Sequence, residues 1–199
     1  MSRAPFHPFR NEAISDNFEF VNGFYVQKAF IPEHTATTIH NYFFKTAAES
    51  RRDEDGELDI AYECWELAEA DDTIAKVCEI LTPVFPEWRP NDITLRDTNR
   101  GFETHQDDKC YMEASAIVKL SGVTKMTLQE AEAKSPPETV ELVAGDLLII
   151  RQSTPLKDGG VLDTRTWHGA NLDSLTPGSC KNRSFLYLGH INNRLAYAA

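Results

Sequence analysis

The chain has 199 residues, with 20 basic and 31 acidic side chains, so its formal net charge at pH 7 is −11. A composition of 41% hydrophobic and 26% charged residues is that of an ordinary globular protein and excludes disordered, collagen-like and coiled-coil chains. The acidic balance argues against a large electrostatic footprint on a nucleic acid. No apolar run is long enough to predict a membrane-spanning helix.

The four cysteines of the chain, Cys64, Cys78, Cys110 and Cys180, form no close pair in the sequence. Their spacing is typical neither of a disulfide framework nor of a CxxC zinc site. The first residues contain no apolar stretch of signal-peptide length. We therefore expect a cytoplasmic protein whose thiols are reduced.

Aromatic and β-branched residues dominate the segment 18–30, and Asn22-Gly23 is a turn signal, so one or two short strands are predicted there. Pro32 then occupies a plausible first helical position. The segment 32–50 predicts an amphipathic helix. Its apolar residues recur at helical spacing: Ala36, Ile39, Phe43 and Ala47.

The charged segment 51–59 is interpreted as a solvated loop. A second helix is predicted over 71–81, with Asp71 or Asp72 as its N-cap. Its apolar face is formed by Ile74, Val77, Cys78 and Leu81.

Short apolar runs alternate with turn residues from about residue 91 onwards, a pattern typical of an all-β unit. The predicted strands cover residues 93–96, 114–120, 140–143, 147–151 and 184–188. A jelly roll or cupin-like barrel closes so many short strands economically, and a barrel of mixed topology and a β-sandwich remain alternatives. We predict a single domain over 1–199, mainly β, with an N-terminal strand and helix region at about 1–90 and the β unit at about 91–192.

His105 and Asp107 are separated by one residue, so on an extended strand their side chains point to the same face. An imidazole and a carboxylate placed in this way can reach one metal ion together. His168 follows 63 residues later in Trp167-His168-Gly169 and supplies a third ligand-type side chain. Two histidines and one carboxylate form the facial triad of non-haem Fe(II) oxygenases, which leaves coordination positions for other ligands. The alternative for the pair is a surface histidine beside an acid.

Arg183 opens a predicted strand 15 residues after His168. An arginine at that place can face a carboxylate and bind it through two parallel hydrogen bonds. A structural ion pair is the alternative role for Arg183, and Arg165 is a second candidate for the anion anchor. Asp108 competes with Asp107 as a ligand, although its side chain is expected to face away from His105.

The sequence resembles the Fe(II)/2-oxoglutarate-dependent dioxygenases over most of its length. The matching segments, in order, are GFYVQKAFIPEHTA, FETHQDD, VAGDLLII, WHGAN and NRSFLYLGH. The resemblance implies a double-stranded β-helix in which His105, Asp107 and His168 bind Fe(II), 2-oxoglutarate and O2 are co-substrates, and Arg183 binds the distal carboxylate of 2-oxoglutarate.

Two branches of the family resemble different parts of this chain. WHGAN is similar to the phytanoyl-CoA-dioxygenase-like branch, and the short interval between the two histidines is similar to the AlkB-like branch. In the AlkB-like branch two residues before the metal motif also contact 2-oxoglutarate. Thr94 and Arg96 occupy these places, where asparagine and tyrosine are usual. The second AlkB-like arginine is Gly189 here, and this departure weakens a nucleic-acid demethylase interpretation.

The resemblance and the acidic charge together predict an enzyme that hydroxylates or otherwise oxidises a small-molecule substrate, by desaturation or ring closure for example. Two alternatives remain: an AlkB-like nucleic-acid demethylase, and a non-redox metal-binding domain of cupin-like fold. The second alternative has no need of Arg183. The loops 51–59 and 156–160 are candidate lids over the site.

Overall fold

The computed structural model describes residues 19–21, 24–46, 58–61, 67–98, 102–129, 136–156, 160–170 and 183–192. Two helices lie in these segments, α1 (Glu33–Thr46) and α2 (Ala68–Leu81). The strands before residue 130 are β1 (Glu19–Val21), β2 (Phe24–Gln27), β3 (Leu58–Ala61), β4 (Asp92–Thr98), β5 (Phe102–His105), β6 (Tyr111–Lys119) and β7 (Thr124–Gln129). Those after it are β8 (Glu138–Leu142), β9 (Leu147–Arg151), β10 (Thr154–Pro155), β11 (Val161–Leu162), β12 (Trp167–Ala170) and β13 (Arg183–Ile191).

The strands form two large antiparallel sheets with a hydrophobic core between them. The major sheet has the order β1-β2-β9-β6-β13-β4-β3, the minor sheet has the order β5-β12-β7-β8, and β10 pairs with β11 separately. From β4 onwards the chain passes repeatedly between the two large sheets. This topology is a jelly roll, and it confirms the predicted double-stranded β-helix.

Alternate residues of the major sheet contribute to two separate hydrophobic cores, because successive side chains of a strand point to opposite faces. In β6, Ala116 and Val118 belong to the core on the helix side, whereas Ile117 belongs to the core between the sheets. The helix-side core is closed by buried residues of α1, α2 and the segment after α2: Ala36, Ile39, Ala70, Val77, Leu81 and Trp88. The inter-sheet core is closed by the minor sheet: Met126, Leu128, Leu142 and Ala170.

The tight turn between β8 and β9 also anchors the N-terminal segment. Gly145 has φ +94°, and a Cβ at this position would lie 2.4 Å from the Ile31 carbonyl oxygen, so only glycine fits. The buried Asp146 carboxylate accepts a hydrogen bond from the Ala29 backbone N–H at 3.0 Å and pairs with Lys28 Nζ at 2.8 Å. The turn therefore holds the chain between β2 and α1 against the barrel.

Both predicted helices form, with different boundaries. Pro32 precedes α1 and accepts its first backbone bonds, as expected for a residue at the helix start. The N-cap predicted at Asp71 or Asp72 is wrong, because α2 begins at Ala68 with Leu67 as its N-cap and without a side-chain cap bond. Burial of Ala70 and Leu67 against the helix-side core extends the helix by one turn.

Six strands lie outside the predicted set: β3, β5, β7, β10, β11 and β12. β3 begins inside the segment predicted as a charged loop, and residues 51–57 of that segment lie outside the described residues. β7 shows strict alternation of buried and half-buried residues, a signal that was present in the sequence. β10, β11 and β12 have two, two and four residues, too short for a periodicity to be recognised. Of the other candidate lid, 156–160, only Leu156 and Gly160 are described.

The thiols of Cys78 and Cys110 are free, and Cys64 and Cys180 lie outside the described residues. Burial raises the pKa of both described thiols, which disfavours the thiolate form that binds metals and attacks substrates. Neither of the two described helices is long and apolar enough to cross a membrane.

Candidate metal centre

The structure brings His105, Asp107 and His168 together, with ligand atoms that all lie within 4.8 Å of one another. Asp107 Oδ1 is 3.6 Å from His105 Nε2 and 3.5 Å from His168 Nε2. The His168 side chain is almost fully buried and Asp107 mostly buried, whereas 45% of the His105 side chain is exposed. The triad therefore lies at an opening of the barrel, with one face towards solvent.

Pairing of β5 with β12 sets this geometry. His105 is the last residue of β5 and lies opposite His168 of β12. Asp107 follows the strand end, so the predicted extended backbone stops before it, yet its carboxylate still reaches both imidazoles. A Cβ at Gly169 would lie 2.8 Å from Thr104 Cα, so this glycine permits the close approach of the two strands.

Both imidazoles are oriented by backbone carbonyls. His105 Nδ1 lies 2.9 Å from the Glu103 carbonyl oxygen, and His168 Nδ1 lies 3.4 Å from that of Thr166. A carbonyl oxygen can only accept, so Nδ1 carries the proton and donates it. The Nε2 lone pairs are then directed towards Asp107, which is the tautomer that a metal ligand requires.

A network of buried polar groups holds the other oxygen of the Asp107 carboxylate. Gln152 Nε2 donates to Asp107 Oδ2, and the Tyr187 hydroxyl donates to the same oxygen at 3.5 Å. Ser115 Oγ connects these two residues, at 3.1 Å from Gln152 Nε2 and 2.9 Å from the Tyr187 hydroxyl. Because Oδ2 is engaged in this way, Oδ1 remains directed towards the two imidazoles.

The electrostatics of the centre favour an ionised carboxylate. Burial opposes the charge on Asp107, but the two neighbouring imidazoles and the hydrogen bond donated by Gln152 outweigh burial and hold the pKa of this carboxyl well below its usual range. The Asp107 carboxylate beside it raises the pKa of His105, so protons and a metal ion compete at this imidazole. Burial and the nearby Asp107 raise the pKa of Tyr187, which stays a neutral hydrogen-bond donor.

Arg165 connects the two segments that carry the ligands. Its guanidinium forms a two-bond pair with Asp163, at 3.0 and 2.7 Å, and donates to the Asp107 carbonyl oxygen at 2.5 Å. Gln106 Nε2 donates in return to the Arg165 carbonyl oxygen at 2.7 Å. Arg165 was the second candidate for the anion anchor, and in the structure its guanidinium contacts Asp163 and the segment that carries Asp107.

Arg183 is the first residue of β13 and is 3% exposed. It lies on the same strand face as Phe185 and Tyr187, which border the inter-sheet core. Tyr187 is four residues further along β13, at about 3.3 Å per residue, so the two Cα atoms are about 13 Å apart. Arg183 is therefore a buried residue on the inner face of the major sheet, some distance along β13 from Tyr187.

Thr94 and Arg96 lie on β4 opposite Tyr187 and Phe185 of β13. Thr94 Oγ1 donates to Asp92 Oδ1 at 3.1 Å. The Arg96 guanidinium carbon lies 4.8 Å from the centre of the Tyr187 ring, a cation–π arrangement. Both residues thus lie on β4 beside β13, and their role as contacts of 2-oxoglutarate stays a prediction.

Two further expectations are settled by local packing. Asp108 Oδ1 accepts the Cys110 backbone N–H at 3.1 Å, and Asp108 is absent from the convergent ligand set among the described residues. A Cβ at Gly189 would lie 2.7 Å from the Tyr111 ring, so this ring occupies the room that a larger side chain would need. An AlkB-like second arginine therefore does not fit at this position.

Gln152 and Ser115 were missed by the sequence analysis, although both carried a weak signal. Ser115 interrupts an apolar predicted strand, and Gln152 directly follows another one. Both are fully buried at 0% exposure. A polar residue at the end of a buried strand is a candidate for such a network, because it must find partners in the interior.

No protein-family model matches the sequence, and no curated protein matches it significantly. Solved structures match the fold. A Pseudomonas putida prolyl-4-hydroxylase aligns with TM-score 0.58 at 15% identity, covering 86% of this chain and 94% of its own. OsALKBH1 aligns with TM-score 0.53 at 13% identity, covering 86% and 100%. HygX from Streptomyces hygroscopicus, with nickel and 2-oxoglutarate bound, aligns with TM-score 0.52 at 12% identity, covering 86% and 83%.

These matches extend over most of each chain, so they concern the whole architecture and not one motif. At 10–15% identity they establish a shared fold. The chain has the double-stranded β-helix fold of the 2-oxoglutarate oxygenases, with a His-Asp-His cluster at the mouth of the barrel.

Proposed function

We propose that this protein is an Fe(II)/2-oxoglutarate-dependent oxygenase. The observation that carries the proposal is the convergence of two Nε2 atoms and one carboxylate oxygen on one point, with both Nδ1 atoms held by carbonyls. This donor set fits Fe(II), which when bound in such a triad supplies the chemistry that couples conversion of 2-oxoglutarate and O2 into succinate and CO2 to oxidation of a substrate.

The side chains of the chain have separate tasks in this proposal. His105, Asp107 and His168 hold the metal ion. Arg183 binds the distal carboxylate of 2-oxoglutarate through its planar fork. Its burial on the inner face of the major sheet fits a dicarboxylate that reaches inwards from the metal. HygX, which shares the fold, has been solved with 2-oxoglutarate bound.

The groups around the triad keep the metal ligands in one arrangement. Gln152, Ser115 and Tyr187 fix the rotation of the Asp107 carboxylate, and Arg165 fixes its backbone. Thr94 and Arg96 border the pocket and are proposed contacts of 2-oxoglutarate. The apolar inter-sheet core below excludes water, which strengthens the charge-assisted hydrogen bond to the distal carboxylate.

A small molecule is the proposed substrate, such as an amino acid or a biosynthetic intermediate. The net charge of −11 supports it, because a polyanion would be repelled at long range. The Tyr111 ring beside Gly189 supports the choice against the AlkB-like alternative. Hydroxylation, desaturation and ring closure are all compatible with the triad.

The proposal is tested by incubating the full chain with Fe(II), 2-oxoglutarate and O2 and measuring succinate, first alone and then with candidate small molecules. We expect succinate that depends on all three additions and rises with the true substrate. A protein that binds metal but forms no succinate under any condition would favour the non-redox cupin-like alternative. Salt-dependent binding to DNA or RNA would favour the AlkB-like one.

A further inference from the structure

A second cation lies beside Arg183 on the inner face of the major sheet. Lys119, the last residue of β6, is 1% exposed and pairs with Phe185 of β13. Arg183 is two residues before Phe185, so Lys119 and Arg183 are diagonal neighbours on one face of the sheet. The Cα atoms of such neighbours are about 7 Å apart. Two positive side chains therefore share one buried region of the barrel.

The ammonium group of Lys119 has no hydrogen-bond partner within the described part of the chain. The backbone of Lys119 is fully engaged: its N–H donates to the Asp146 carbonyl oxygen at 2.8 Å, and its own carbonyl accepts from the Gly145 N–H at 2.8 Å. The strand end is thus held without the side chain. Burying three unused N–H donors is costly, which indicates that a partner is to be supplied.

The charged and titratable neighbours of Lys119 do not neutralise it. Burial, together with Arg183 of β13, lowers the pKa of Lys119 to about 7, and Asp97 of β4 opposes this only in part. His40 of α1 lies near the same group, and its Nδ1 is 2.6 Å from Ser184 Oγ. Burial is the main cause that lowers the pKa of His40, Asp97 opposes it and Lys119 adds to it. The imidazole therefore provides no negative charge to pair with Lys119.

We propose that Lys119 is a second anchor, beside Arg183, for the distal carboxylate of 2-oxoglutarate, and that it takes up a proton when this anion binds. The inference rests on the proposed function. It assigns a role to Lys119, a residue that metal binding by the triad does not require. A carboxylate accepts from a guanidinium and an ammonium at the same time. Its charge also offsets the repulsion between the two cations.

The coupling between proton and anion has a defined direction. In the ligand-free protein Lys119 is largely neutral above pH 7, because its pKa is about 7. The bound carboxylate favours the charged form and raises this pKa. Binding above pH 7 therefore consumes a proton, and affinity for 2-oxoglutarate falls as pH rises, by at most about tenfold per pH unit.

The test uses the full chain loaded with Mn(II) and titrated by calorimetry with 2-oxoglutarate and, separately, with oxalate. Oxalate chelates a metal but has no distal carboxylate. Lys119→Met should weaken 2-oxoglutarate binding roughly tenfold to a hundredfold and leave oxalate binding unchanged. Lys125→Met is the matched control, since Lys125 lies partly exposed on the outer face of β7. It should behave like the wild type with both ligands.

Proton uptake is measured at pH 8 in two buffers of different ionisation enthalpy. The wild type should take up nearly one proton for each 2-oxoglutarate bound. Lys119→Arg retains a permanent charge, so it should keep the affinity within a few-fold and abolish the uptake. Lys119→Arg therefore also tests the proposed role of Lys119 if Lys119→Met does not fold.

The outcomes separate this inference from the function on which it rests. A Lys119→Met protein that binds 2-oxoglutarate like the wild type, while Arg183→Ala does not, overturns the second anchor and leaves the oxygenase proposal intact. Equal weakening for oxalate and 2-oxoglutarate shows a structural role and also overturns it. A wild type that binds Mn(II) but never 2-oxoglutarate contradicts the oxygenase proposal itself.

Discussion

The two faces of the major sheet differ in composition although the same strands form both. On the helix side, β4, β6 and β13 present mainly apolar side chains to the core, such as Leu95, Val118 and Leu186. Ser184 is a buried polar exception, which contacts His40 of α1. On the inner side the same strands carry Ser115, Tyr187 and other polar groups. One face therefore supplies stability, and the other carries the groups proposed for chemistry.

The inner face is itself graded along its length. At the mouth, Asp107 provides a negative charge beside two imidazoles. Towards the start of β13, the basic side chains of Arg183 and Lys119 are buried. This order matches a metal ion at the opening and an anionic end further inside, so mutations on the two faces and at the two depths should have separable effects.

The largest effect is expected for His168→Ala. Loss of one of three protein ligands should abolish detectable metal-dependent turnover, because the remaining pair cannot hold the ion in the triad geometry. The thermal midpoint should change little, because the sheets are held by apolar packing and not by the ion. His34→Ala, on the exposed side of α1, is the control. Metal binding and turnover at wild-type levels would remove His168 from the site.

Arg183→Ala should weaken 2-oxoglutarate binding by roughly thirtyfold to several thousandfold, since loss of a buried charged partner costs about 2–5 kcal/mol. Arg183→Lys should recover only part of the lost affinity for 2-oxoglutarate, because lysine keeps the charge but lacks the two parallel donors of the guanidinium. Metal affinity should be nearly unchanged.

Arg165→Ala separates the two arginines in the same titration. It should loosen the metal site more than it changes the constant for 2-oxoglutarate, since the Arg165 guanidinium contacts Asp163 and the Asp107 carbonyl. A larger loss of 2-oxoglutarate affinity than of metal affinity in Arg165→Ala would mean that Arg165 is the anion anchor.

Leu186→Ala and Tyr187→Phe compare the two faces at neighbouring positions of β13. Leu186 is 0% exposed on the helix side, so its truncation should lower the free energy of unfolding by about 2–5 kcal/mol. Tyr187→Phe keeps the ring and should cost only about 1 kcal/mol. Denaturant titration with parallel metal titration should show opposite rankings: Leu186→Ala is worse for stability, and Tyr187→Phe is worse for metal binding.

Gln152→Leu tests the support of the Asp107 carboxylate by its buried neighbours. It removes the donor to Asp107 Oδ2, and losing such a support of a metal ligand typically lowers metal affinity about 10- to 100-fold. The change is measured by competition with a chelator of known affinity. Unchanged metal affinity would show that Tyr187 alone suffices to orient the carboxylate.

The convergence of the triad was predictable because its residue types and spacing are unusual in combination. His105 and Asp107 are separated by one residue, and His168 follows in the order that few other chemistries require. The role of Arg183 stays a prediction. The central strands were predictable from long apolar runs. Leu147–Arg151 is such a run, because β9 is covered on both faces.

The rest depended on information that is not local in sequence. Gln152 contacts Asp107 across 45 positions and Ser115 across 37, and only the sheet register brings them together. Lys119 was not singled out from the sequence, and its pairing with Phe185 places it on the inner face of the sheet. The start of α2 was missed because burial of Ala70 outweighed the local preference of Asp71 for a cap.

The two hydrogen bonds that connect Arg165 with Gln106 and Asp107 have a consequence for the loss of a bound metal ion. They connect the two ligand-bearing segments directly, so the coordination geometry does not depend on the ion to draw them together. Metal binding should then require little further ordering of these two segments, and metal loss should disorder them little. Such a site can release and rebind a metal ion repeatedly. Its occupancy then depends on the concentration of free metal and not on refolding of the protein.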